Sequence, residues 1–134
     1  MDLSKINYLA VLVAALSSFL IGYLWYAPFS FAKIWMKEAG LSEEKLKQGN
    51  VGITFGLSFI LSLIICFNLA AFLGTNAGLA WGITAGALAG IGWAAASLGV
   101  LYLFERRSLK LFLINAGYLA VSYMVAGGII GLWQ

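Results

Sequence analysis

Apolar residues run almost unbroken through four stretches of this chain: about Ile6 to Ala27, Val51 to Gly74, Gly78 to Phe104 and Leu109 to Trp133. Polar positions gather between them. Each stretch exceeds the roughly 20 residues that a helix needs to cross a hydrocarbon core of about 30 Å. None shows the ten-residue alternation of a barrel strand. A backbone in lipid must satisfy its own hydrogen bonds, which leaves helices. The pattern predicts an all-α integral membrane fold, a four-transmembrane-helix bundle in one domain over residues 1–134. The first stretch is longer than the 7–15-residue apolar core of a signal peptide. It closes on Trp25, Tyr26 and Pro28, so it reads as a retained helix.

The loop over 28–50 is the one sizeable polar segment. Pro28 suits the first turn of a short helix. Phe29, Phe31, Ile34, Trp35 and Met36 interleave with Lys33, Lys37 and Glu38, the pattern of a short interfacial amphipathic helix. Gly40 ends it. Ser42, followed by Glu43 and Glu44, reads as a fresh N-cap with acids in the first turn. A tight turn is expected around Gly74, Thr75 and Asn76.

Composition sharpens the picture. Apolar residues make up 63% of the chain and charged residues 10%, against about 25% charged in soluble domains. So few charges cannot cover a water-soluble surface. The net charge of +3 does not imply nucleic acid, because the positive residues lie in short juxtamembrane clusters. Seven of them (Lys33, Lys37, Lys45, Lys47, Arg106, Arg107 and Lys110) fall on one side of the four spans, and only Lys5 on the other. The positive-inside rule then places loops 28–50 and 105–108 in the cytoplasm and both termini outside, in a bacterial inner membrane.

The chemistry available is sparse. There is no His, the lone Cys is Cys66, and no Asp or Glu lies within a span. No metal site, cofactor or catalytic residue is expected, because proton relays and metal centres in membranes are built from ionisable side chains.

Small residues recur every four positions. Ala10, Ala14, Ser18 and Gly22 mark the first span, and Thr54, Ser58, Ser62 and Cys66 the second. Gly82, Gly86, Gly90 and Ala94 mark the third, and Gly127 and Gly131 the fourth. Such faces let helices approach closely in lipid. Four of them exceed what a compact bundle uses, so a homo-oligomer is expected. Ser18, Ser62 and Ser122 fall near mid-depth, and Ser58, Ser97 and Asn115 nearer the basic side.

Two polar groups remain as candidate sites. Glu105, Arg106 and Lys110, with Asn115 and Tyr118 further into the last span, could hold an anionic head group. Trp25, Lys33 and Trp35 form an interfacial or partner-docking patch. At these same residues the chain resembles the bacterial membrane family catalogued as domain of unknown function 1761. The resemblance is carried by Asn7-Tyr8-Leu9-Ala10-Val11, Leu24-Trp25-Tyr26-Ala27-Pro28, Lys33-Ile34-Trp35-Met36 and Tyr102-Leu103-Phe104-Glu105-Arg106-Arg107. It continues from Lys110 to Tyr118 and ends at Gly131-Leu132-Trp133. It implies a small multi-span protein and brings no activity with it.

The leading expectation is a non-enzymatic, self-associating membrane protein with a binding site or pathway for a small solute or lipid. One alternative is an accessory subunit that docks a cytoplasmic protein through loop 28–50. Another is a lipid-acting membrane enzyme built on Glu105.

Overall fold

The structure, a computed structural model, describes residues 2–134. After a short 3-10 turn at Leu3–Lys5, the elements are α1 (Tyr8–Trp25), α2 (Ala32–Ala39), α3 (Glu43–Lys47), α4 (Val51–Leu73), α5 (Gly78–Ala89), a π-helical stretch (Gly90–Ala95), α6 (Ala96–Glu105) and α7 (Leu109–Trp133). No strand occurs among the described residues. Four helices are long and apolar enough to cross a membrane: α1, α4, the continuous run Gly78–Glu105, and α7. They coincide with the four apolar stretches to within two residues at each end.

Local sequence sets where these helices begin. The first amides of a helix have no internal partner, and a side-chain oxygen must supply one. Asn7 accepts from the Ala10 amide at 3.1 Å, Asn50 from Ile53 at 3.1 Å and Ser108 from Leu111 at 3.1 Å. In the polar loop, Ser42 caps α3 by accepting from Lys45 at 3.2 Å. Gly40 ends α2 in the left-handed conformation, at φ 70°.

The expected helix start at Pro28 needs correction. Residues 28–31 form a turn, and α2 begins only at Ala32. The chain must swing through a corner there to lay α2 beside α7. Pro28 has no amide to leave unpaired in that corner, and the Ser30 hydroxyl donates to the Trp25 carbonyl at 2.8 Å.

α7 is the hub, packing against α1, α2, α4, α5 and α6. Its tightest neighbour is α5. A Cβ built on Gly82 would overlap the Gly127 carbonyl oxygen, and one on Gly86 the Tyr123 carbonyl oxygen. A Cβ on Gly90 would sit 2.7 Å from the Tyr123 Cβ. Backbone therefore lies on backbone, the contact that small residues permit and that holds helices together where lipid supplies no hydrophobic drive. The third and fourth small-residue faces meet each other within one chain.

The π-helical stretch interrupts this span where Gly90 and Gly92 lie close together. The Ala96 amide bonds to the Ile91 carbonyl, five residues back. Gly82, Ala85, Gly86 and Ala89 are buried before the stretch, and no residue of α6 is buried after it. Hydrophobic periodicity gives no sign of it.

The first helix buries Ala10, Ala14 and Ala15 completely, at 0% exposure. α4 is fastened at one end only. Cys66, Leu69, Ala70 and Leu73 are buried, whereas residues 51–57 are all exposed. A polar latch closes the end of the bundle that holds both termini. The Gln134 amide nitrogen donates to the carbonyls of Ala70 and Gly74, each at 2.8 Å. Its oxygen accepts from the Asn7 amide at 3.0 Å, and the Asn7 side chain donates to the Trp133 carbonyl at 3.1 Å.

Candidate functional site

Because α4 diverges from the bundle towards the basic end, it leaves a cavity rather than a packed interface, with a volume of ≈ 530 Å³. Its walls come from four elements. Ser18 and Gly22 lie on α1, Thr54, Ser58 and Ser62 on α4, and Tyr118 on α7, while Trp35 of α2 borders it at the basic end. Tyr23, Thr54 and Phe55 are exposed and form the rim; Ser18, Ser58, Ser62 and Tyr118 are half-buried. Phe19 reaches across to Phe55 and Phe59, at ring separations of 6.2 Å and 6.0 Å. No charged side chain lines the cavity.

Hydroxyls inside lipid normally fold back onto a carbonyl of the preceding turn. Thr84 does so, donating to Ala80 at 2.8 Å, and Thr54 does so to Asn50 at 3.2 Å. The Ser58 and Ser62 hydroxyls make no such bond among the described residues, and neither is sealed in a dry interior. Two hydrogen-bonding groups therefore stand at the cavity wall without protein partners.

A hydrogen-bonded aromatic wall holds the basic end of the cavity. Tyr26 donates its hydroxyl to Asn115 Oδ1 at 2.7 Å, and Asn115 Nδ2 donates to the Tyr102 hydroxyl oxygen at 2.7 Å. This chain ties α1, α7 and α6 together. Tyr118 donates to the Ser18 carbonyl at 3.0 Å and meets the Tyr26 ring edge-on at 5.5 Å. Trp35 also packs on Tyr26, with ring centres 5.2 Å apart. Trp25 donates its indole N–H to the Ile114 carbonyl at 2.9 Å and lies against Gly117, whose Cβ would come within 2.8 Å of the ring. The polar atoms of Trp25, Tyr26, Tyr102 and Tyr118 are thus each hydrogen-bonded, which fixes the wall geometrically.

The two polar groups expected from sequence are divided differently in space. Asn115 and Tyr118 do not join Glu105 and Arg106; they join Tyr26, Tyr102 and Ser18. Trp25 and Trp35 face inward onto that same wall. Glu105 forms an exposed ion pair with Arg107 at 3.3 Å, the only salt bridge among the described residues. Arg106 adopts φ 59° and terminates α6, a backbone role. Lys33 and Lys110 line a separate groove between α2 and α7. No group of His, Cys, Asp and Glu suited to a metal occurs among the described residues.

Sequence reasoning missed Tyr26 and Tyr102 as partners of Asn115. A signal did exist: both tyrosines lie near the basic ends of their spans, as Asn115 does, and an amide inside a span requires partners. The Thr54, Ser58 and Ser62 stripe was visible, but its spacing equally suits close helix contact.

Four apolar spans, three of which line an uncharged, hydroxyl-bearing cavity, fit a small protein of the membrane type. The chain belongs to the family described as "Protein of unknown function (DUF1761)", whose profile matches residues 9–131. No curated protein and no solved structure matches it significantly.

Proposed function

We propose that this protein is a non-enzymatic membrane binding protein whose cavity between α1 and α4 takes a small, uncharged amphiphile. The observation that carries this reading is the pair of unbonded hydroxyls, Ser58 and Ser62, at the wall of a cavity of ≈ 530 Å³. That volume lies within the range of about 300–1,000 Å³ typical of small-molecule sites. The lining supports a neutral ligand, because an ion there would meet no countercharge. An apolar body against Phe19 and Phe55, with a hydroxyl or carbonyl directed at the serines, satisfies both kinds of surface.

In this reading the basic end faces the cytoplasm, supported by the seven-to-one distribution of Lys and Arg across the spans. Self-association would have to use surfaces other than the α5 and α7 glycine faces, which are occupied within the chain. Exposed apolar flanks, those of α1, α4 and α6 among them, remain for it. Docking of a partner through Trp35 has less support, since that ring is engaged by Tyr26. Lipid chemistry at Glu105 also has less, since its carboxylate pairs with Arg107 at an exposed turn.

Photolabelling tests the reading. The protein in nanodiscs is irradiated with a diazirine-bearing diacylglycerol, and the labelled peptides are mapped. Labelling of α4 around Ser58 and Ser62 is expected, with loss in the cavity-filling variant Ser58→Leu/Ser62→Leu. Equal labelling of wild type and variant would remove the cavity from the proposal.

A further inference from the structure

A second feature lies outside that cavity, in the groove between α2 and α7. Its volume is ≈ 480 Å³. Lys33 and Lys37 are four residues apart on α2 and so share one helical face. Lys110 comes from the first turn of α7, and all three line the groove. They meet there with one carboxylate, Glu38, and none of the three lysines has a carboxylate within salt-bridge distance among the described residues. Ile34 and Leu113 line the same groove and are exposed, at 46% and 59%.

Lysines at a membrane boundary ordinarily spread outward and leave their stems on the apolar surface. Here two separate elements bring three of them to one apolar-lined recess, at the level where the apolar run of α7 begins. Three positive groups above exposed aliphatic side chains complement a molecule with an anionic head and a hydrocarbon tail. The start of α7 adds the positive end of a helix dipole beside Lys110.

We infer that this groove is a binding site for one anionic phospholipid, its phosphate held among Lys33, Lys37 and Lys110 and an acyl chain lying on Ile34 and Leu113. The inference is independent of the cavity between α1 and α4. It also assigns α2 a role: the lipid bridges the interfacial helix to the hub helix.

Native mass spectrometry of the whole protein, released from nanodiscs of mixed phosphatidylglycerol and phosphatidylcholine, provides the test. Wild type is expected to retain one phosphatidylglycerol preferentially. Lys33→Gln/Lys37→Gln/Lys110→Gln is expected to lower that retention by roughly tenfold or more, since each basic residue near a membrane surface adds separately to anionic-lipid attraction. The control Lys45→Gln/Lys47→Gln removes two charges of the same loop that do not line the groove and is expected to retain the lipid. Equal loss in both variants would reduce the effect to general surface charge and overturn the site. No preferential retention by wild type would overturn it as well. Displacement of the lipid by millimolar inorganic phosphate would show that the groove recognises free phosphate, against a lipid site.

Discussion

Tyr26 and Tyr102 sit on opposite sides of one amide: the first donates to the Asn115 oxygen and the second accepts from the Asn115 nitrogen, both at 2.7 Å. Leu at position 115 keeps the bulk and removes both bonds, leaving two tyrosine hydroxyls without partners. Interhelical hydrogen bonds in membranes average about 0.6 kcal/mol, and an unsatisfied buried polar group costs about 1–3 kcal/mol. Asn115→Leu is therefore expected to destabilise by about 2 kcal/mol, and Tyr26→Phe by less. A double-mutant cycle on Tyr26 and Asn115, read by thermal unfolding in detergent, should give a coupling of about 0.5–1 kcal/mol; strictly additive losses would contradict the bond.

Glycines in this chain fall into two groups that substitution should separate. A Cβ on Gly82 or Gly127 would strike backbone, whereas one on Gly56 meets nothing within 4 Å. Gly82→Ala should abolish or severely weaken folding, at more than about 3 kcal/mol, because neither helix can yield without losing the contact. Gly56→Ala should be neutral or stabilise by up to about 1 kcal/mol, the usual gain from removing a mid-helix glycine. Yield and melting temperature of the two variants side by side make the comparison.

Gln134 and Asn7 hold the fastened end of α4 to α1 and α7. Gln134→Ala removes three hydrogen bonds and is expected to loosen α4 by about 1–2 kcal/mol. Cys66 reports on this directly: it is 1% exposed, on the segment that would open. Its labelling by a membrane-permeant maleimide should rise about tenfold, as a change of about 1.4 kcal/mol implies. An unchanged rate would mean that the buried face of α4 holds without the latch.

Arg106 occupies a left-handed backbone position, φ 59° and ψ 37°, that glycine fills at little cost. Arg106→Gly is expected to stabilise the turn between α6 and α7 by about 0.5–1 kcal/mol. A loss of stability would indicate that the guanidinium contributes more than the backbone conformation costs.

The spans, and the caps at Gly40 and Ser42, were legible because each depends on a short stretch of chain. Gly82 and Gly127 were legible as packing residues for the same reason, but spacing does not say which face meets which. The starts that Asn7, Asn50 and Ser108 set were not read, since a lone polar residue at the edge of an apolar run has several possible roles. The π-helical stretch at Gly90–Ala95 was not legible, since one wider turn leaves the apolar character unchanged. Asn115, Tyr118, Trp25 and Trp35 were visible one by one, but not the grouping that the fold gives them. Asn115 lies 89 positions from Tyr26 in the chain, and only the crossing of α1 and α7 brings them together. Lys110 was grouped with its sequence neighbours, while the fold sets it beside Lys33.

The contact between Gly82 and Gly127 has a mechanical consequence. With backbone on backbone, no acyl chain can enter between α5 and α7, and the pair moves as a single stiff beam. α4 is coupled to that beam only at the latched end, like an arm on a pivot. Lateral pressure in the bilayer is therefore expected to act mainly on the exposed end of α4, at residues 51–57, so that the thickness and composition of the surrounding lipid would set how wide the gap beside Ser58 and Ser62 stands.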